Sequence, residues 1–207
     1  DYPWGAKYVL YKGANIDSTD RFIFEEDGSI QRYIGNETEV TIPEYLETKD
    51  GKRTQITLVG DYSFRGTSVT SVDMPSIISI GYFAFSDCYN LISVDMPKLT
   101  TVGELAFYKC NNLTNVNMPN VTKIDRYAFG ECYLGDLELP NVTYLGEWAF
   151  RGSNLTSIKI PKITSLDDQF RECSYLESIE IPNVTSIGYS AFYGCSDLES
   201  IEIPNVT

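Results

Sequence analysis

The chain has 207 residues, 43% of them hydrophobic, and sets 16 Lys and Arg against 29 Asp and Glu, a formal charge of −13. So acidic a balance argues against nucleic acid, whose binding rests on cations neutralising phosphates, and against docking on anionic membranes. Histidine is absent, which removes Ser–His and Cys–His nucleophile pairs, His-bearing zinc sites and the usual proton carrier at neutral pH.

No apolar run approaches the ~20 residues of a membrane span, so membrane insertion is not expected. The chain opens at Asp1 without a signal peptide and closes on IEIPNVT, in the middle of a repeat, so a longer parent chain is expected. Residues 1–23 fit no repeating unit and read as an N-terminal edge or cap. Residues 24–59 hold a lead-in, FEEDGSIQRYIGNETEVTIPEYL, and a degenerate first repeat with the polar insertion ETKDGKR.

From 60 to 207 about seven repeats follow, the last truncated. An apolar-Pro pair marks their phase, with prolines at Pro75, Pro97, Pro119, Pro140, Pro161, Pro182 and Pro204, spaced 22, 22, 21, 21, 21 and 22 residues apart. A second marker, the Phe of "AF", keeps step at Phe64, Phe85, Phe107, Phe129, Phe150, Phe170 and Phe192. Each unit starts with an alternating stretch, as in Leu91, Val94 and Met96 with Ser93 and Asp95 between, which predicts a short half-buried strand stopped by proline. A second extended piece ends at Gly81, Gly103, Gly146 or Gly188, where a left-handed backbone is expected although Asp125 and Asp167 replace the glycine twice. The "AF" segment predicts one turn of 3₁₀ or α-helix. A unit this short cannot bury its own apolar side chains, so units must stack into a solenoid.

The unit L-x-x-I-x-I-P with I-G-x-x-A-F-x-x-C resembles the bacterial BspA-like class of leucine-rich repeats, closely over 60–207. That resemblance implies an α/β leucine-rich-repeat solenoid, mainly short parallel strands with short 3₁₀ or α turns, coiled as a right-handed superhelix. It also implies a bacterial cell-surface or secreted adhesion protein, whose partner is a host matrix protein, another cell or a glycan. The chain departs from the pattern at LDDQF, residues 166–170, which has lost one residue and the alanine, and a local bend or bulge is expected there.

Two surfaces are candidate binding sites. In a parallel sheet the outward strand positions form columns: Asp73, Asp95, Asn117, Glu138, Lys159, Glu180 and Glu202, with Ser93, Ser157 and Ser178 in the column beside them. The carboxylates could meet a basic protein or, weakly, Ca²⁺; they could equally be a solvated face that prevents aggregation. The second surface is aromatic, with Tyr62, Phe83, Tyr127 and Trp148 at the turns; such residues anchor interfaces, or simply flank a core. Cys88, Cys110, Cys132, Cys173 and Cys195 each follow the repeat phenylalanine by three residues, and Thr67 and Ser153 stand in that position elsewhere. They read as a structural ladder of small buried side chains rather than a metal site, whose ligands must converge on one point. The NVT and NLT triplets resemble glycosylation acceptors, but their fixed phase after proline suggests a role in the turn. No nucleotide loop, nucleophile elbow or ligand cluster is present, and adjacent Asp167 and Asp168 at a shortened turn suggest local geometry. No enzyme activity, cofactor or metal is expected. A stalk displaying another domain, or an end-to-end dimer through the open edge at Val206 and Thr207, is the competing reading.

Overall fold

The computed structural model describes residues 15–16, 21–25, 27–47, 53–199, 201 and 203. They form a β-solenoid whose turns are joined face to face by three hydrogen-bonded ladders. The first ladder is built from the alternating strands Glu39–Thr41, Ser71–Asp73, Ser93–Asp95 and Asn115–Asn117, then Gly135–Glu138, Leu155–Lys159 and Ser178–Glu180. The second uses the two-residue strands Leu58–Val59, Ser79–Ile80, Thr101–Val102, Lys123–Ile124 and Tyr144–Leu145, then Ser165–Leu166 and Ser186–Ile187. All these pairings are parallel, with the same repeat position opposite itself one turn later.

The third ladder replaces the helical turns that the sequence suggested. Among the described residues there is no helix. Between Gly103 and Cys110 the chain instead runs through three linked four-residue turns: Ala106 N donates to Gly103 O at 3.3 Å, Tyr108 N to Leu105 O at 3.2 Å and Cys110 N to Phe107 O at 3.1 Å. The donors in between reach the next coil, with Leu105 N on Arg126 O at 2.9 Å, Phe107 N on Ala128 O at 2.8 Å and Lys109 N on Gly130 O at 3.0 Å. A helix would have used those same N–H groups inside one coil and left the stack unjoined on this side.

The alternation needs a positive φ at the third position of the first and last turns, as in a type II turn. Tyr62, Phe83, Leu105, Tyr127 and Trp148 occupy the first of these positions, at φ between 52 and 58°. Gly66, Asp87, Lys109, Glu131, Gly152, Glu172 and Gly194 occupy the second. The left-handed backbone therefore lies two residues after the repeat glycine, not on it. Gly103 serves close approach instead, because a Cβ there would lie 2.7 Å from Ile80 O of the preceding coil.

The core is a set of one-residue columns running the length of the stack. Phe64, Phe85, Phe107, Phe129 and Phe150 are fully buried and stack at centroid separations of 4.7, 5.2, 5.1 and 5.7 Å. Phe170 and the half-buried Phe192 continue the column at 5.5 and 6.0 Å. At the other end Tyr33 stacks on Phe64 at 5.0 Å and Phe22 meets it edge-on at 6.2 Å. The antiparallel pair Phe22–Phe24 and Ile30–Tyr33 thus covers that end of the core.

Three irregularities set the shape of the sheets. The strands Tyr45–Glu47 and Arg53–Gln55 pair antiparallel between the two ladder strands of the first coil, while Glu39–Thr41 keeps its pairing with Ser71–Asp73. The first ladder is interrupted between Asn115–Asn117 and Gly135–Glu138, where one residue is missing before Gly135 and that glycine takes φ 61°. The second ladder is interrupted between Tyr144–Leu145 and Ser165–Leu166. There Gln169, buried in the alanine column, donates from Nε2 to Leu145 O at 3.3 Å and accepts from Asp167 N at 2.7 Å. Its amide stands in for the lost ladder bonds where the chain bends at Asp167 and Asp168.

Candidate functional site

The first-ladder sheet turns one face to solvent, and the parallel register settles what that face carries. Asp73 lies opposite Asp95 and Asp95 opposite Asn117; Glu138 lies opposite Lys159 and Lys159 opposite Glu180. Ser71, Ser93 and Asn115 form the neighbouring column, continued by Asp136, Ser157 and Ser178. The stripe residues that fall among the described residues therefore lie along one surface, in two blocks divided by the interruption after Asn117. Glu202, with Val206 and Thr207, lies outside the described residues.

Two shallow grooves follow the stripe. One, of about 770 Å³, is lined by Glu39, Asp73, Asp95, Asn117 and Asp136 among others; the second, of about 680 Å³, by Asp136, Glu138, Lys159 and Glu180. Glu39 was not among the anticipated residues. The apolar-Pro pair Ile42-Pro43 behind it is the signal that places Glu39–Thr41 in the ladder.

Six carboxylates and one ammonium thus line the two grooves. Lys159 Nζ pairs with Glu180 at 2.9 Å, and Asn117 Nδ2 donates to Asp95 Oδ1 at 2.5 Å. Asp136 Oδ1 accepts from Thr156 Oγ1 at 2.6 Å and Ser157 Oγ at 2.7 Å, and these hydroxyls hold its pKa below the ordinary aspartate value. Asp73 goes the other way: burial, then the charge of Asp95 one coil along, raises its pKa.

The turn face is organised differently. Tyr62, Phe83, Tyr127 and Trp148 are half-buried and packed on one another, Tyr62 against Phe83 at 5.4 Å and Tyr127 against Trp148 at 5.0 Å. Arginines lie over them, Arg126 at 4.9 Å from the Trp148 ring and Arg65 at 5.1 Å from Phe83. Each of these cations also has a carboxylate: Arg65 with Asp87 at 3.1 Å, Arg126 with Glu147 at 3.1 Å, Arg151 with Glu172 at 3.0 Å. These three arginines are paired on the turn face, whereas in the grooves carboxylates outnumber the one lysine.

The cysteines form the ladder anticipated for them. Cys88, Cys110, Cys132 and Cys173 are buried, Cys195 is half-buried, and all are free thiols. Each Sγ donates to the carbonyl of the phenylalanine one coil back, Cys88 to Phe64 O at 3.0 Å and Cys110 to Phe85 O at 3.2 Å. Burial pushes the Cys88 and Cys110 thiols above their usual pKa, which suppresses the reactive thiolate. The sequon asparagines are likewise engaged between coils: Asn120, Asn141 and Asn183 donate from Nδ2 to Pro97 O, Pro119 O and Pro161 O at 2.7, 2.9 and 2.7 Å. Asp168 has a raised pKa through burial and then the charge of Glu147. Among the described residues no cluster of three His, Cys, Asp or Glu could hold a metal ion.

The model of the BspA-type leucine-rich-repeat region matches residues 52–134 and 100–207, in 6 copies. The chain belongs to the BspA-type leucine-rich-repeat family. No curated protein matches it. Among solved structures it is similar to the T. pallidum leucine-rich-repeat protein TpLRR, with 28% identity, a TM-score of 0.76, and coverage of 94% of this chain and 91% of that one. A Bacteroides ovatus leucine-rich-repeat protein gives 25% identity and a TM-score of 0.75 over 96% of this chain, but only 54% of its own length is spanned. The pneumococcal vaccine antigen PcpA, at 19% identity and a TM-score of 0.54 over 88% of this chain and 65% of its own, shares the fold.

Proposed function

We propose that this BspA-type module is a non-enzymatic binding domain of a secreted or cell-surface bacterial protein, engaging a basic protein partner through its acidic grooves in adhesion. The observation that carries the reading is the charge asymmetry: six groove carboxylates face one lysine, whereas Arg65, Arg126 and Arg151 on the turn face each hold a carboxylate. A cationic partner supplies the missing charge, speeds encounter and sets orientation. The sheet face is rigid backbone held by ladder bonds, so little order is lost on binding. The secreted location follows from the family resemblance alone.

The test is a binding screen against immobilised matrix proteins near physiological salt, with a chain carrying Asp73, Asp95, Glu138 and Glu180 all changed to Ser beside it. A bound partner that the substituted chain loses, and that the native chain releases as salt is raised, supports the reading. A bound partner that the substituted chain keeps moves the site to another face. Silence from both favours a stalk.

A further inference from the structure

One end of the cysteine ladder differs from the rest. Cys88, Cys110 and Cys132 lie on three consecutive coils and are fully buried. Ser153 then occupies the column, and beyond it Cys173 and Cys195 form a separate pair on adjacent coils. Cys173 is buried, whereas Cys195 is half-buried, the one cysteine of the five that is not closed off from solvent. Neighbours in this column are close: Ser153 Oγ lies 3.5 Å from Cys173 Sγ, and Thr67 Oγ1 lies 3.5 Å from Cys88 Sγ. The backbones beside the pair are joined, since Glu172 N donates to Tyr193 O at 2.6 Å. Strand-like stacking sets equivalent Cα atoms about 4.8 Å apart, inside the range of roughly 4.4–6.8 Å that a disulfide spans.

Little holds the two sulfurs apart. Each donates to a phenylalanine carbonyl one coil back, Cys173 to Phe150 O at 3.0 Å and Cys195 to Phe170 O at 3.1 Å. Both carbonyls keep a backbone donor when the sulfurs turn away, Ser153 N at 3.0 Å and Cys173 N at 3.2 Å. The pair is also polarised. The Cys173 thiol beside it lowers the pKa of Cys195, whereas the Cys195 sulfur and then burial raise that of Cys173.

We propose that Cys173 and Cys195 are a redox-active pair, which a small disulfide oxidises to an intramolecular bond that staples their two coils together. Cys195 is the entry point, as the more accessible and more readily ionised thiol. Its thiolate attacks one sulfur of the small disulfide, forms a mixed disulfide and expels the other half as a thiolate, which takes up the Cys195 proton. Cys173 Sγ then attacks Cys195 Sγ and expels the second half, which takes up the Cys173 proton. Two protein thiols are oxidised, and one small disulfide is reduced to two thiols. Ser153 confines the bond to this pair, because it offers no sulfur for exchange further along the column. The inference does not depend on the acidic grooves.

The test incubates the reduced chain, dilute, with oxidised glutathione, quenches it in acid, and records intact mass, thiol count in denaturant and the linked peptides. Five thiols fall to three, the mass drops by about 2 Da, and the bridge maps to Cys173 and Cys195. Hydrogen exchange in the coil carrying Cys195 slows on oxidation and recovers with dithiothreitol. Cys173→Ser stops at a glutathione adduct on Cys195, and Cys195→Ser keeps all its thiols free. Serine already fills this column at Ser153, and matching circular dichroism spectra check that both variants fold. A thiol count that stays at five overturns the proposal. So does a bridge that maps within Cys88, Cys110 and Cys132 or between two chains, oxidation that survives Cys195→Ser, or a Cys173→Ser chain that takes up no glutathione.

Discussion

Phe107→Ala is the sharpest test of how the stack is held together. Phe107 is fully buried, with Phe85 stacked at 5.2 Å on one side and Phe129 at 5.1 Å on the other. Truncating a fully buried phenylalanine costs about 3–5 kcal/mol through lost burial and the cavity left behind. The two stacked contacts are worth about 0.5–1.5 kcal/mol each beyond their area, which places this residue at the upper end of that range. A module of this size holds on the order of 5–15 kcal/mol in all, so the variant should keep its fold with a much lower midpoint. Phe192 supplies the internal comparison. It is half-buried, and Phe170 at 6.0 Å is its one ring partner in the column among the described residues. Phe192→Ala should therefore cost about half as much as Phe107→Ala, since stability in a repeat array is a sum of coil and interface terms. Urea unfolding followed by far-ultraviolet circular dichroism measures both, with equal slopes certifying that the same surface is exposed. A loss below about 1 kcal/mol for Phe107→Ala would refute the reasoning, because it lies outside the range for any tightly packed core phenylalanine. Equal losses at the two positions would refute nearest-neighbour coupling.

Other expectations concern polar groups. Because the folded pKa of Asp73 is raised, the folded state holds its proton more firmly than the unfolded chain, so this group's contribution favours folding at low pH and is lost as pH rises through the folded pKa. Asp73→Asn should therefore stabilise the module at pH 7, with the gain vanishing in melts below the ordinary aspartate pKa; an equal gain at both pH values would contradict the assignment. Cys110→Ser keeps a donor for Phe85 O, as Ser153 and Thr67 occupy the same column elsewhere, whereas Cys110→Val leaves that carbonyl with only the Cys88 N–H at 3.2 Å and should cost about 0.5–1.5 kcal/mol, the worth of one hydrogen bond. Thermal melts that rank Val at or above Ser would dismiss the donor role. Gln169→Leu orphans both Leu145 O and Asp167 N, so it should cost about 2–6 kcal/mol as two unmade bonds. Hydrogen exchange localises the damage, which should appear at Leu145 and Asp167 rather than across the whole stack.

The repeat phase, the phenylalanine and cysteine columns and the register of the groove stripe were all legible, because each depends only on periodicity. Once Asp73, Asp95 and Asn117 share a repeat position, parallel stacking leaves them nowhere else to go. The turn conformation was not legible. Ala-Phe beside Leu105 or Tyr127 suits a helix by local propensity, and nothing local reveals that alternate N–H groups are claimed by the next coil. The positive φ of Phe83 or Trp148 is imposed by that tertiary demand, against the preference of a bulky side chain. The first coil reads as a degenerate repeat, but Glu39 escaped the stripe because the antiparallel pair Tyr45–Glu47 and Arg53–Gln55 lies between this coil's two ladder strands and sets Glu39 far in sequence from its repeat partners. Gln169 looked like a lost alanine because a side chain mending a backbone ladder leaves no trace in composition.

The groove charge is written as one residue per coil, and this has a consequence for how such a surface can change. Adding or deleting a whole coil lengthens the acidic row by a single side chain and by the ~4.8 Å of one strand spacing. The cross-section and the core columns stay the same. Avidity for a long cationic partner could therefore be dialled by copy number, a change available to duplication and slippage in the coding sequence without any point mutation. The interruption after Asn117 limits that freedom, because it divides the row into two blocks that would have to be lengthened separately.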